Sequence, residues 1–191
     1  MDCRRLISFP DVRRKLVQHA LDLLRKRHCL DGVSSVVGAG ASGIGLAAWI
    51  AEALALPMQY VCKQTKGLGP GSQVVGVVRS GSHVLLVDDL MAGGHSKVNF
   101  CRAVKKAGAL VKDVFVVFDY DTFPTKTLLD TMQVTVRSLA TWRDILAAAR
   151  ESSTFQGREL AELETFLANP VHWSHVHGRI CSVKDGTKEL A

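Results

Sequence analysis

Strand-like apolar runs alternate along this chain with stretches of helical periodicity, and few architectures accommodate both. Residues 33–37, 58–63, 83–87, 111–118 and 133–139 read as strands, with residues 74–78 a further short one. Between them, residues 12–27 place Leu16, Ala20, Leu23 and Leu24 at helical spacing behind the start signal Pro10-Asp11. Residues 42–56 carry Leu46, Ile50 and Leu54 at four-residue steps and stop at Pro57. Another helix follows Val87 and ends near Ala107, where Gly108 supplies a C-cap, and Thr141 caps one more that runs to about Arg150. Near-continuous apolar strands separated by helices predict an α/β fold with a mostly parallel sheet covered on both faces. In such sheets ligands bind beyond the carboxyl ends of the strands.

Two glycine-rich segments stand at those ends, "VVGAGASGIG" and "VDDLMAGGHS". In the second, an apolar strand is followed at once by Asp88 and Asp89, then by Ala92-Gly93-Gly94 and the start of a helix at His95 and Ser96. A helix start offers unpaired N–H groups and partial positive charge, which suit phosphate. Two carboxylates cannot hold phosphate, but they accept hydrogen bonds from a diol or help hold a hydrated Mg²⁺. An isolated Asp-Asp is usually a solvated turn; the pair beside a glycine turn points to a ribose 5-phosphate. In the first segment Gly38, Gly40 and Gly43 satisfy GxGxxG, yet the following strand ends in Cys62 and Lys63 with no acid to take a dinucleotide ribose. A pyrophosphate loop fits it better.

The 191 residues suit one ordinary domain, and 47% hydrophobic content argues against wholesale disorder. Eight Lys/Arg against three Asp lie within residues 1–27 of a chain with net charge +6, which fits an anionic partner or a solvated helix face. The basic helix lacks interleaved aromatics, so nucleic acid is not expected. Five scattered cysteines without CxxC spacing argue against a disulfide framework or a zinc site. No apolar segment is long enough for a membrane span and the N-terminus lacks an apolar core, so a cytoplasmic address is expected.

"VLLVDDLMAGGHS" resembles the signature of type I phosphoribosyltransferases, whose two acids hold the ribose hydroxyls of phosphoribosyl pyrophosphate (PRPP). More narrowly, "YVCKQTKGLGPG" is similar to the mobile catalytic loop of orotate phosphoribosyltransferases, "GAGASGIGLA" to their pyrophosphate loop, "DCRRLISFP" to a segment behind their N-terminal hood, and "VRSLATWRDIL" to their closing strand and helix. The resemblance covers roughly residues 2–150. It implies the type I phosphoribosyltransferase fold, with a central mostly parallel five-stranded sheet and an N-terminal hood reduced or absent. It divides the chain into a core, residues 1–150, and a C-terminal helical extension and tail, residues 151–191.

The reaction so implied is transfer of ribose 5-phosphate from PRPP to a nucleobase, orotate first, with release of pyrophosphate. Lys66, Asp88 and Asp89 would be catalytic. Lys63, Ala92, Gly93, Gly94, His95 and Ser96 would join them in binding PRPP, and Ala39, Gly40, Ala41, Ser42 and Gly43 would form the pyrophosphate loop. Mg²⁺ would be held mainly through PRPP, with no direct side-chain cluster, and a homodimer would share its active sites because the loop lysine comes from the partner. The chain departs from the family pattern at Cys62 for arginine, Leu68 for histidine, Ser42 for lysine, and Ala92 to His95 where T-x-G-T is usual. Tyr120 stands where an arginine contacts orotate. A phosphoribosyltransferase for another base and a non-catalytic PRPP- or nucleotide-binding regulator therefore remain alternatives. Ala92, Tyr120 and Trp173 are candidates for contact with the base. Trp173 lies in "VHWSHVHGR", a tail that either covers the base in place of the hood or anchors the chain end to the core.

Overall fold

The computed structural model describes residues 2–63, 73–122, 126–152, 155 and 157–178. After a 3₁₀ turn, Cys3–Ser8, helix α1 spans Pro10–Lys26. Pro10 takes its first position, where a missing N–H costs nothing. Strand β1 (Ser35–Ala39) leads into α2 (Gly40–Leu54), then β2 (Met58–Val61) and a two-residue β3 (Val74–Val75). β4 (His83–Met91) leads through α3 (His95–Lys106) to β5 (Leu110–Asp119). A short α4 (Lys126–Asp130) precedes β6 (Thr135–Thr141), and α5 (Trp142–Ser152), α6 (Gly157–Ala168) and α7 (Pro170–Val176) follow.

The sheet order is β3-β2-β1-β4-β5-β6, with β3 antiparallel to β2 and the other five strands parallel. The expected five parallel strands are thus present, with β3 added at the edge. Each face is dry. Ala20, Leu21 and Leu24 of α1 and Leu46, Ala47, Ile50 and Ala51 of α2 pack on Val36, Leu85, Val87, Phe115 and Val117. On the other face Val98, Cys101, Ala103 and Val104 of α3 and Leu129 of α4 cover Val37, Val84, Leu86, Val114 and Val116. Burial on both faces is why the strands read as continuous apolar runs rather than alternating ones.

Two features position a site. β1 and β4 pair side by side, from Ser35↔Val84 to Gly38↔Val87. The chain leaves β1 for β2 on one side and leaves β4 for β5 on the other, so a crevice opens between them at the carboxyl ends. The second is a difference from the sequence reading. β4 does not end at Val87 but runs on to Met91, because β5 is long enough to keep pairing with it at Asp88↔Val116, Leu90↔Phe118 and Met91↔Asp119. β1 has already stopped at Ala39. Asp88 and Asp89 are therefore fixed on a rigid strand whose β1 side is open, not carried on a turn.

At the other end of the chain, the backbone N–H and hydroxyl of Thr141 both donate to Asp144 Oδ2 at 2.7 Å, which caps α5. Asn169 closes α6 and its side chain accepts from the His172 N–H at 3.0 Å, with Pro170 next in the first position of α7. The chain thus turns at Asn169 from α6 into α7, forming a helical hairpin within the C-terminal extension. No helix among the described residues is long and apolar enough to cross a membrane.

Candidate active site

The crevice holds a cavity of about 400 Å³. Its walls come from the end of β1 and first turn of α2 (Ala39, Gly40, Ala41, Ser42), from Asp88, Asp89 and Leu90 of β4, from Ser96, Lys97 and Phe100 of α3, from Lys63, and from Asp2, Cys3 and Arg4. Successive strand residues face opposite ways, so Asp88 lies on the α3 side with Leu86 and Asp89 on the α1 side with Val87.

That alternation makes the two acids unequal. Asp88 is engaged by three donors: Oδ1 accepts from Ser42 Oγ at 2.8 Å and from the Asp89 N–H at 2.9 Å, while Oδ2 takes an ion pair from Lys97 Nζ. Both members of that pair are buried. Asp89 has no such ion pair among the described residues. Burial first, and then the negative charge of Asp88, push its carboxyl above the ordinary value near 3.8; the Ser42 hydroxyl and the Lys97 charge oppose them.

A raised carboxyl pKa means that the folded protein holds the proton more tightly than the unfolded chain does. The resulting stability is complete below the unfolded value and is lost as pH rises through the folded one. At neutral pH the ionised Asp89 is therefore a strain on the fold. Asp89→Asn should melt at a higher temperature than the natural protein at pH 7, with the difference shrinking as pH falls toward 4. Equal or lower melting temperature at pH 7, by calorimetry, would contradict this reading.

Of the expected pyrophosphate loop, Ala39 to Ser42 line the cavity and Gly43 lies beneath them. Ala39 ends β1 and Gly40 to Gly43 form the first turn of α2 rather than a free loop, since the helix starts two residues earlier than Ser42. A Cβ on Gly43 would overlap the Val87 carbonyl oxygen and stand 3.2 Å from Asp88 Cα, so this glycine lets α2 press onto the acids. Ser96 reaches the cavity wall, whereas Ala92, Gly93, Gly94 and His95 make the turn from β4 into α3. Gly94 sits at the helix N-cap with φ 67°, a conformation natural to glycine. Lys63 lines the wall as expected. Lys66 and Leu68 lie outside the described residues.

Tyr120 is tied to β4 by its N–H, which donates to the Met91 carbonyl at 2.8 Å, and its ring meets Phe118 and Trp142 edge-on at 5.7 and 5.5 Å. Burial, then nearby Cys3, raises its phenol above the ordinary value. Tyr120 is not among the residues that line the cavity, although Cys3, which acts on it, is. Trp173 is held within the α6–α7 hairpin. Its Nε1 donates to Glu162 at 2.6 Å, its ring stacks on His177 at 4.1 Å and meets Phe166 edge-on at 5.4 Å. Those contacts all lie within the hairpin itself, and Trp173 is not among the residues that line the cavity. Among the described residues no group of three or more His, Cys, Asp or Glu could hold a metal ion, the tail histidines included.

Sequence reasoning missed Lys97 and the N-terminal wall. A signal for Lys97 was there: it falls on the apolar stripe of α3, in step with Cys101 and Val104. A lysine at a core position of a helix requires a buried counter-charge. Cys3 and Arg4 gave no comparable signal, because the turn that carries them under β4 is set by tertiary packing.

No protein-family model matches the chain. Over 180 residues it is 40% identical to the orotate phosphoribosyltransferase of Dinoroseobacter shibae, across 94% of this chain and 80% of that protein. This chain belongs to the orotate phosphoribosyltransferase family. A second relative of the same name, from Cereibacter sphaeroides, is 41% identical over 174 residues, 91% of this chain and 75% of its own. Among solved structures, orotate phosphoribosyltransferase from Aeropyrum pernix superposes with a TM-score of 0.69 at 30% identity, covering 78% of this chain and 81% of that one. The fold is the type I phosphoribosyltransferase fold, and the cavity lies at its sheet crevice.

Proposed function

We propose that this chain transfers ribose 5-phosphate from PRPP to a ring nitrogen of orotate and releases pyrophosphate. The observation that carries the proposal is the Asp88–Asp89 pair, set in the β1/β4 crevice of a chain of this family. Asp89, the carboxylate that has no ion pair among the described residues, accepts hydrogen bonds from the ribose diol and opposes the positive charge that develops on the ring in the transition state. Helix α3 directs its N-terminus at a phosphate, and α2 presents Gly40, Ala41 and Ser42 to the pyrophosphate. Mg²⁺, when bound, neutralises the departing pyrophosphate. The donor set suits that cation through its water shell: Asp88 is already engaged by three donors, and Asp89 is the carboxylate left. PRPP itself would supply the remaining oxygens.

Lys66 completes the proposal as the cation that closes over PRPP. Lys66→Ala should lower kcat by about 10²-fold while changing PRPP affinity far less, since a late-arriving cation acts chiefly on the transition state. If the loop reaches across a homodimer, mixing Lys66→Ala with Asp88→Asn chains should restore activity, and the protein should elute at twice the 20.8 kDa chain mass. No rescue in mixed samples would contradict a shared site.

The substitution at Tyr120 favours one second reading, an enzyme for another base, because the family pattern has an orotate-contacting arginine there. A steady-state panel separates the two. Orotate should give the highest kcat/KM among orotate, uracil, adenine, guanine and hypoxanthine; a purine ranking first would replace orotate and leave the PRPP half standing.

A further inference from the structure

Lys97 is placed at a cost. It is 4% exposed, and it occupies the first turn of α3, where the helix already carries partial positive charge. A buried ammonium is tolerated only with compensation. Among the described residues its recorded acceptor is Asp88, and it forms part of the cavity wall. An ammonium has three donors, so the pairing with Asp88 leaves donor capacity on a side chain of the cavity wall.

Asp88 is correspondingly crowded. Ser42, the Asp89 N–H and Lys97 all donate to it. Three of the roughly four acceptor sites of the carboxylate are taken, so for Asp88 to give a whole oxygen to a ligand hydroxyl one donor has to leave. The Asp89 N–H is backbone on a paired strand. Lys97 reaches Asp88 on a four-carbon stem and can turn.

We propose that Lys97 exchanges partners: paired with Asp88 in the free protein, its ammonium turns to a phosphate oxygen of bound PRPP and frees Asp88 for the ribose. The exchange rests on the PRPP reading above. It keeps the buried charge compensated in both states and makes Asp88 available only when an anion has arrived. Lys97 is then a binding residue for the substrate, not a structural counter-ion alone.

The obvious variant, Lys97→Met, leaves Asp88 buried without its cation and could fail for that reason alone. The informative comparison is Asp88→Asn against Asp88→Asn/Lys97→Met, in which the acid is neutral throughout. Calorimetric affinities for inorganic pyrophosphate and for ribose 5-phosphate would be measured on both, with melting temperatures to verify folding. Loss of Lys97 should weaken one of the two probes by about tenfold or more, the effect of one charge-assisted hydrogen bond, and the affected probe identifies which phosphate it meets. Equal affinities for both probes in the two variants, with PRPP binding to the natural protein intact, would overturn the role of Lys97 alone. If the natural protein binds no PRPP, the reading beneath it falls as well.

Discussion

Replacing both acids, Asp88→Asn with Asp89→Asn, is expected to abolish PRPP binding in a protein that still folds but is less stable, since Lys97 loses its buried carboxylate partner. The amides keep the size of the carboxylates, and an amide oxygen at position 88 can still accept from the Ser42 hydroxyl and the Asp89-position N–H. Position 89 gains rather than loses, because an ionised group is removed from a site that disfavours it. What disappears is the negative charge that would receive two ribose hydroxyls. Charge-assisted hydrogen bonds contribute about 1.5–3 kcal/mol each, so the loss is roughly 10²- to 10⁴-fold in affinity. Turnover should fall further, since the same charges oppose a cationic transition state. Calorimetry showing unchanged PRPP affinity in a folded double variant would remove the acids from the site.

Gly43→Ala should be the most damaging added methyl group among the described glycines. Its Cβ would overlap the Val87 carbonyl oxygen, which is backbone of the central strand, and would stand 3.3 Å from Asp88 Oδ1. The first neighbour is backbone and the second is a carboxylate oxygen held by Ser42 and the Asp89 N–H, so α2 itself must lift away from β4. Forced overpacking of this kind costs about 3 kcal/mol, which for a domain of this length lowers Tm by about 10 °C. Lifting α2 also pulls Ser42 from Asp88, so activity should drop in the molecules that remain folded. A Tm within about 2 °C of the natural protein, with full activity, would show that α2 does not depend on this close approach.

The sheet was legible because its strands are apolar on both sides, and α3 could be bounded because Gly108, at φ 96°, ends it where the helical pattern fails. The acid pair was legible as well, since strand, carboxylates and glycine turn are adjacent in sequence. Its asymmetry was not. What separates Asp88 from Asp89 is Ser42, 46 residues earlier, and Lys97, nine residues later, each brought in by a different helix. No local pattern records that meeting, although a lysine on an apolar stripe marks where one must occur. Trp173 shows the opposite case. Its neighbours in sequence suggested chemistry, but Asn169 both ends α6 and caps α7, and the resulting hairpin turns the indole onto Phe166 and His177.

The net charge of +6 and the cations Lys63, Arg4 and Lys97 around the cavity suit a substrate as anionic as PRPP. The measurement that tests catalysis most directly is the ultraviolet absorbance of orotate after addition of PRPP and Mg²⁺, with released pyrophosphate counted in parallel. Orotate should disappear at a rate on the order of 1–10³ s⁻¹ per chain, one pyrophosphate should appear for each orotate consumed, and both should stop when the metal is chelated. PRPP that binds while orotate stays constant and no pyrophosphate appears would contradict it, and would leave a binding protein built on an enzyme's fold.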